Sequence, residues 1–284
     1  MRTALALDIG GTKLAAALVR EDGVVVERAV TRTPAEDVWS ALVGLVSPLG
    51  DEAVVCGVGC GGPMTAGGEE VSPLNIPSWR RFPLRARLAE LTGLPVVVDN
   101  DAKALAVGEG WTGAAAGVRD YLGMVVSTGV GGGVVLDGRL LAGAAGNAGH
   151  IGHVIVEADG RVCGCGAQGC LEAEASGTAI EAATGRPAAE AGPDVVARTG
   201  RLVGRAVASV CNLLDLRLAV VAGSVALGFG EPFFAAAQAE LDARCRLDFS
   251  RGARVVPAAL GTDAGLVGAA RLAFVSDAGR LDPA

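Results

Sequence analysis

The chain has 284 residues, 51% of them hydrophobic and 19% charged, with a net charge of −7 and a sequence pI near 5.0. That balance excludes a disordered chain, and an acidic surface with no basic run argues against nucleic acid as a partner. The 43 glycines follow no three-residue period, which excludes collagen and points to tight turns and close backbone approaches. Met1 runs straight into an apolar strand pattern, without a leader-like stretch or an apolar span of about 20 residues. The expectation is a soluble, cytoplasmic protein with no membrane partner.

In chain order, residues 3–7 predict a buried strand, followed by D-I-G-G-T-K at 8–13. Residues 14–19 predict a second strand, Glu21-Asp22-Gly23 a turn and 24–30 a third strand, so the chain opens as an antiparallel meander. Pro34 is expected to open a helix, with Val38, Trp39, Leu42, Val43 and Val46 at helical spacing. A strand over 53–58 leads into Gly59-Cys60-Gly61-Gly62-Pro63, expected to need unusual dihedrals. Residues 72–79, with Pro73, Asn75 and Pro77, predict irregular chain. Residues 84–91 read as a helix capped by Gly93, and 95–98 as a strand emptying into Asp99-Asn100-Asp101, where a helix starts.

A second cycle follows. Residues 121–126 predict a strand, 127–133 a glycine-rich turn, 134–136 a strand and Asp137-Gly138 a hairpin turn. This repeats the N-terminal order and predicts a duplicated α/β architecture with a cleft between the halves. The expected division is 1–118 and 119–284. Val196, Val203, Val207, Val210 and Leu214 mark a long helix, and 218–221 a strand ending in Ala222-Gly223-Ser224. Residues 263–274 read as a closing amphipathic helix, which over about 264–284 can pack back on the first half.

Chemistry is concentrated in a few stretches. Both histidines, His150 and His153, and three of the seven cysteines, Cys163, Cys165 and Cys170, lie within 149–172. His153 and the three cysteines form an H-x9-C-x-C-x4-C set, the ligand inventory of a closed structural zinc site. Gly164, Gly166 and Gly169 are expected to let the backbone turn between ligands. The competing reading is a glycine-rich loop with free cysteines. Cys56, Cys60, Cys211 and Cys245 read as packing residues.

Asp8, Gly10, Gly11 and Thr12 form a turn able to hold phosphate oxygens, with Asp8 able to position Mg2+. Ser127-Thr128-Gly129-Val130-Gly131-Gly132-Gly133 is a second turn of that type, and neither fits a P-loop or a dinucleotide fingerprint. Asp101, at a strand end, can accept the proton of an attacking hydroxyl, or can be an N-cap only. His150 and Glu172 flank the cysteine loop and can bind sugar hydroxyls. Asn75 can be a turn residue only, and Asp99, Glu174 and the Glu69-Glu70 pair read as solvated charges.

These stretches together resemble the ROK family of sugar kinases and repressors. The resemblance rests on D-I-G-G-T-K at 8–13, V-D-N-D-A at 98–102 and S-T-G-V-G-G-G at 127–133. It continues in A-G-H-I-G-H at 148–153, C-G-C-G-x-x-G-C-x-E at 163–172, A-G-S-V at 222–225 and D-A-G-L-V-G-A-A at 263–270. It implies a two-domain actin-like ATPase (ribonuclease H-like) fold and transfer of phosphate from ATP to the 6-hydroxyl of a hexose or N-acylhexosamine. Asp101 then matches the catalytic base; Gly62, Asn75, Asn100, Asp101, His150, His153 and Glu172 match sugar contacts. Asp8, Gly10, Gly11, Thr12, Lys13, Thr128, Gly129, Gly131 and Gly223 match the nucleotide and Mg2+ side, and His153, Cys163, Cys165 and Cys170 the Zn2+ ligands. The resemblance also implies a homodimer or a dimer of dimers. Many glucokinases of the family carry Glu where this chain has His150, and the G-H-I-G-H form is similar to bacterial N-acylmannosamine kinases. Glucokinase is the alternative. A sugar-responsive repressor is disfavoured because only seven residues precede Asp8, and a non-catalytic sugar binder because Asp101 is intact.

Overall fold

The computed structural model describes residues 1–49 and 52–278. Strands β1 (Thr3–Ile9), β2 (Lys13–Arg20), β3 (Val25–Arg32), β4 (Val55–Cys60) and β5 (Val96–Asn100) form a five-stranded sheet in the order β3-β2-β1-β4-β5. Strands β6 (Tyr121–Val126), β7 (Val130–Leu136), β8 (Arg139–Leu140), β9 (Leu218–Ala222) and β10 (Arg254–Pro257) form a second, in the order β10-β9-β6-β7-β8. Renumbering β6–β10 as β1–β5 yields the same order. The pairing senses agree too: the first two strands are antiparallel and the fourth joins the first in parallel. The repeated sequence pattern is thus realised as a repeated topology.

Strands β1, β2 and β4 are apolar along nearly their whole length because both faces of the first sheet are covered. Leu5, Leu7, Ile9, Leu14 and Leu18 meet Val38, Leu42 and Val46 of α1 (Val38–Val46) and Leu84 and Leu88 of α2 (Leu84–Thr92). The opposite face is built from Ala4, Ala6, Ala15 and Ala17, and α9 (Ala264–Ala278) lies on it through Leu266, Ala269, Ala270, Ala273 and Phe274. Small side chains there let the helix come close: a Cβ on Gly57 would collide with the carbonyl of Ala269.

Helix α3 (Asp101–Thr112) crosses α9 in backbone contact, since a Cβ on Gly268 would strike the carbonyl of Ala104. Its other side rests on the second sheet. A Cβ on Gly123 would come 2.6 Å from the Ala106 Cα, and the Tyr121 hydroxyl donates to the Ala106 carbonyl at 2.9 Å. The far face of the second sheet carries α6 (Pro193–Leu214) and α8 (Glu231–Arg244), through Leu202, Val203, Ala206, Val207, Phe233, Ala237 and Leu241. Shorter helices α4 (Leu171–Ala175), α5 (Gly177–Thr184) and α7 (Ser224–Phe229) complete this half. Among the described residues, no helix is long and apolar enough to cross a membrane.

Several expectations are corrected. The first helix starts at Val38, not Pro34, because Asp37 caps it by accepting from the Ser40 amide at 3.2 Å. The second glycine turn closes at Gly129; Gly131, Gly132 and Gly133 belong to β7, where α3 and the 149 region press on the strand and leave little room for side chains. Gly59 and Cys60 extend β4, no residue of 59–63 takes a positive φ, and the Gly62–Pro63 peptide is cis. Helix α9 is buried on all sides from Leu266 to Phe274 except at Arg271, rather than amphipathic, because it is wedged between a sheet and α3. Residues past 278 of the expected closing helix lie outside the described residues. The Asp137-Gly138 turn, with φ of 52° and 73°, is the two-residue hairpin expected.

Candidate active site

Strand β5 ends at Asn100 and α3 begins at Asp101. Asn100 is the cap: its Oδ1 accepts from the Ala102 amide at 3.0 Å and the Lys103 amide at 3.4 Å, an arrangement worth about 1 kcal/mol. Asp101 is therefore not the cap. Its Oδ1 takes the Ala102 amide at 2.8 Å, and its Oδ2 lies 4.0 Å from where a Cβ on Gly61 would sit. Gly62 is the next residue along, with the Asn100 Nδ2 3.8 Å from its Cβ position. Burial raises the Asp101 carboxyl above the ordinary range against the pull of the Ala102 amide, and the charge of Asp8 adds to the rise.

Asp8, beside Gly59 in the β1–β4 register, belongs to the same region. Burial raises its carboxyl as well, opposed by Lys13, whose Nζ is 3.7 Å away. Gly265, in the first turn of α9, faces Asp8 so closely that a Cβ would sit 3.1 Å from its carboxyl carbon. The buried Cys60 thiol is pushed up by desolvation and by the charges of Asp101 and Asp8.

The two glycine turns each lean on a candidate sugar contact. In the first, the Gly10 amide donates to the Lys13 carbonyl at 3.0 Å, Gly11 and Thr12 are exposed, and Gly11 abuts Asn75, whose Cβ a larger residue would strike. In the second, the Ser127 amide donates to the Gly129 carbonyl at 2.9 Å and Thr128 is exposed. The Val130 amide donates to Glu172 Oε2 at 3.0 Å, and that oxygen lies 2.8 Å from the Cβ position of Gly129. Gly223, at φ 102°, packs on the Val126 backbone, and its neighbour Ser224 reaches the Ser127 hydroxyl at 2.9 Å. Gly131 stands apart from the turn, against Ala102 of α3.

The ligand atoms of His153, Cys163, Cys165 and Cys170 all lie within 4.8 Å of one another. Cys165 and Cys170 Sγ are 3.7 Å apart, as are Cys163 Sγ and His153 Nδ1. Tetrahedral Zn–S bonds of about 2.3 Å put two sulfurs about 3.8 Å apart, so the donor set fits zinc. The loop closes on itself: the Cys163 amide donates to the Ala167 carbonyl at 2.7 Å, and Val162 bridges Gln168. Gly166 and Gly169 take positive φ there, whereas Gly164 does not. Hydrogen bonds from the Ala167 backbone and Cys163 lower the Cys165 thiol, while burial pushes Cys170 up to about 12. With Nδ1 turned to Cys163, the second ring nitrogen of His153 is left for other contacts. The His150 ring lies nearly parallel to it at 6.0 Å. Burial, His153 and Lys103 hold His150 below the usual imidazole range against the pull of Glu172.

Two charged residues here carry more than the sequence suggested. Glu174 is not solvated but buried. Its Oε1 accepts the Arg161 amide at 2.5 Å and its Oε2 meets Arg198 at 2.6 Å, bolting the cysteine loop to α4 and α6. Burial alone would raise its carboxyl, yet these donors hold it below the ordinary value. Lys103 was not singled out at all; its side chain is 2% exposed, 3.7 Å from Asp99 and 2.6 Å from the Gly146 carbonyl. Asp99 is accordingly half-buried rather than solvated, with a carboxyl that burial raises against Lys103. Glu69 and Glu70 pair with Arg85 and Arg81 at the surface, and Cys56, Cys60, Cys211 and Cys245 are buried as expected. A lysine in the first turn of a helix that follows a strand was the available signal, and sequence spacing did not say what would cover it.

The repeated two-sheet α/β fold is that of the ROK sugar kinases, of the actin-like ATPase class. The sequence matches the ROK family over residues 4–275, and the chain belongs to that family. It is 39% identical to the N-acetylmannosamine kinase of Escherichia fergusonii, over 95% of this chain and 98% of that one. Its fold is similar to a ROK hexokinase from Thermus thermophilus (TM-score 0.86, 34% identity, covering 98% and 99% of the two chains). It is also similar to a ROK family glucokinase from Streptomyces griseus in complex with glucose and AMPPNP (TM-score 0.83, 32% identity, covering 96% and 99%).

Proposed function

We propose that this protein transfers the γ-phosphoryl group of ATP to the 6-hydroxyl of an N-acylmannosamine. The observation that carries the reading is the 39% identity to N-acetylmannosamine kinase along 95% of the chain. A second reading, glucokinase, is favoured by the likeness to the glucose-bound enzyme of Streptomyces griseus.

In this mechanism the division at 118/119 makes two domains that close on the sugar, α9 riding with the first. Asp101 takes the proton of the 6-hydroxyl. Its raised carboxyl makes it a better proton acceptor than an ordinary aspartate, and general-base help of this kind is worth roughly 10²–10⁴-fold in rate. Asn100, Asn75, Gly62, His150, His153 and Glu172 orient the sugar, while the Gly11, Thr12, Thr128 and Gly129 amides, with Lys13 and Gly223, hold the donor phosphates in line. Because Asn75 backs the first turn and Glu172 the second, movement in either turn reaches a sugar contact. Asp8 would hold Mg2+, which neutralises charge on the transferring phosphate when bound. His153, Cys163, Cys165 and Cys170 would hold Zn2+, which supplies no chemistry and fixes the loop between His150 and Glu172. An ATP-dependent kinase works where ATP is, in the cytoplasm, and the family resemblance carries a homodimer or a dimer of dimers.

The test is sugar-dependent ADP release from MgATP with N-acetylmannosamine, glucose, mannose and N-acetylglucosamine. N-Acetylmannosamine is expected to lead by ten-fold or more in kcat/KM, about 1.4 kcal/mol of discrimination. Glucose in the lead means a glucokinase; no turnover with any sugar sinks the kinase reading.

A further inference from the structure

We infer that Lys103 is a positioning residue for acceptor recognition, an inference that rests on the sugar-kinase reading. Lysine is almost never fully buried without partners, because its ammonium must replace the water it gives up. Lys103 is buried one helical turn from Asn100, in the first turn of α3, with Gly133 of β7 packed 3.0 Å (from its Cβ position) against the Lys103 Cα. Its ammonium donates to the Gly146 carbonyl at 2.6 Å and lies 3.7 Å from Asp99 Oδ1.

Gly146 sits in the middle of the segment that leads from β8 to His150. That segment turns repeatedly at the surface: Gly143, Gly146 and Gly149 take φ of 76°, 80° and 98°, and residues 141–145 are exposed. Among the described residues, the other hydrogen bonds of 142–148 stay within the segment: Gly146 to Gly143, Ala148 to Ala142 and Asn147 to Ala145. The Lys103 bond is the one that ties it to a rigid element. The same helical turn therefore carries Asp101, the proposed base, and a tether on the segment that leads to His150, which Gly149 also packs onto β7.

The test compares wild type with Lys103→Met, which keeps the length and loses the donor, and Lys103→Gln, which keeps an N–H donor without charge. For each, kcat and KM are measured for N-acetylmannosamine and for MgATP, with amide hydrogen exchange across 142–149. Lys103→Met is expected to raise the sugar KM about ten-fold or more, to leave the ATP KM within about two-fold and to speed exchange in 142–149. Lys103→Gln is expected to return the sugar KM to within about three-fold of wild type. A wild-type sugar KM with unchanged exchange in Lys103→Met overturns the inference. So does a loss in which both KM values and exchange over the whole chain worsen together without recovery in Lys103→Gln, since that is a folding defect. If wild type turns over no sugar, the kinase reading fails, and exchange in 142–149 alone decides whether Lys103 holds the segment.

Discussion

Burial makes the ionised form of Asp101 costly to the fold. Its carboxyl is raised by burial, so between the unfolded value of about 3.9 and the higher folded one, the native state holds a proton that the unfolded chain has released. Stability contributed by this group therefore falls as pH rises through that window and is lowest above it. Replacing Asp101 by Asn removes the buried charge and the base together. The expected result is a kcat lower by about 10²-fold or more, with a thermal midpoint at pH 7 no lower than wild type. Activity within a few-fold of wild type would remove Asp101 from the role, and a lowered midpoint would contradict the account of its burial. Asp8, raised by the same desolvation, works against stability in the same direction.

At the scale of elements, the 153–172 segment is a small closed unit held at several points. Its four donor atoms cluster within 4.8 Å, Glu174 grips the Arg161 amide from α4, and Arg205 of α6 donates to the Val156 carbonyl at 2.7 Å and pairs with Glu157 at 2.5 Å. The unit positions both His153 and Glu172, so its order and the sugar contacts are expected to fail together. Cys163→Ser should lower bound zinc, measured by elemental analysis, and activity in proportion. Full activity in protein stripped of zinc would show that the backbone and ion-pair ties suffice without the metal. Glu174 is the counterweight to that outcome: its carboxylate is held low by its donors, so its contribution to stability is present above the ordinary carboxylate pKa and lost as pH falls through the folded value.

At the scale of the whole molecule, α3 and α9 lie between the sheets. They meet through Gly108 and Gly268, where a Cβ on Gly108 would stand 2.6 Å from the Ala264 carbonyl. Asp101 is at one end of α3, and Asp8, on β1, is faced by Gly265 of α9, so both proposed aspartates adjoin this seam. Closure of one half on the other about such a seam would exclude water from the transferring phosphate. Small-angle scattering with N-acetylmannosamine and a non-hydrolysable ATP analogue is expected to show a smaller radius of gyration than the free protein. An unchanged radius with both ligands bound would mean that the halves are already closed or do not move.

Much of this protein is determined locally. The two hairpin turns, the helix start after Asn100 and the H-x9-C-x-C-x4-C set depend on residues a few positions apart, whose turn chemistry and spacing act before any tertiary contact forms. The repeated strand order was legible for the same reason, as two runs of one local pattern. What only the tertiary structure decided is what each element meets across space. Gly131–Gly133 could have closed a turn; they became strand because α3 and the 149 region press on β7. Helix α9 looked amphipathic but is wedged between a sheet of alanines and α3. Lys103 and Glu174, two charged residues that the pattern assigned to water or passed over, are buried because a carbonyl from a distant loop and an arginine from α6 lie within reach. Spacing along the chain shows which groups can act together locally; burial of a charge depends on a partner that only the assembled fold supplies.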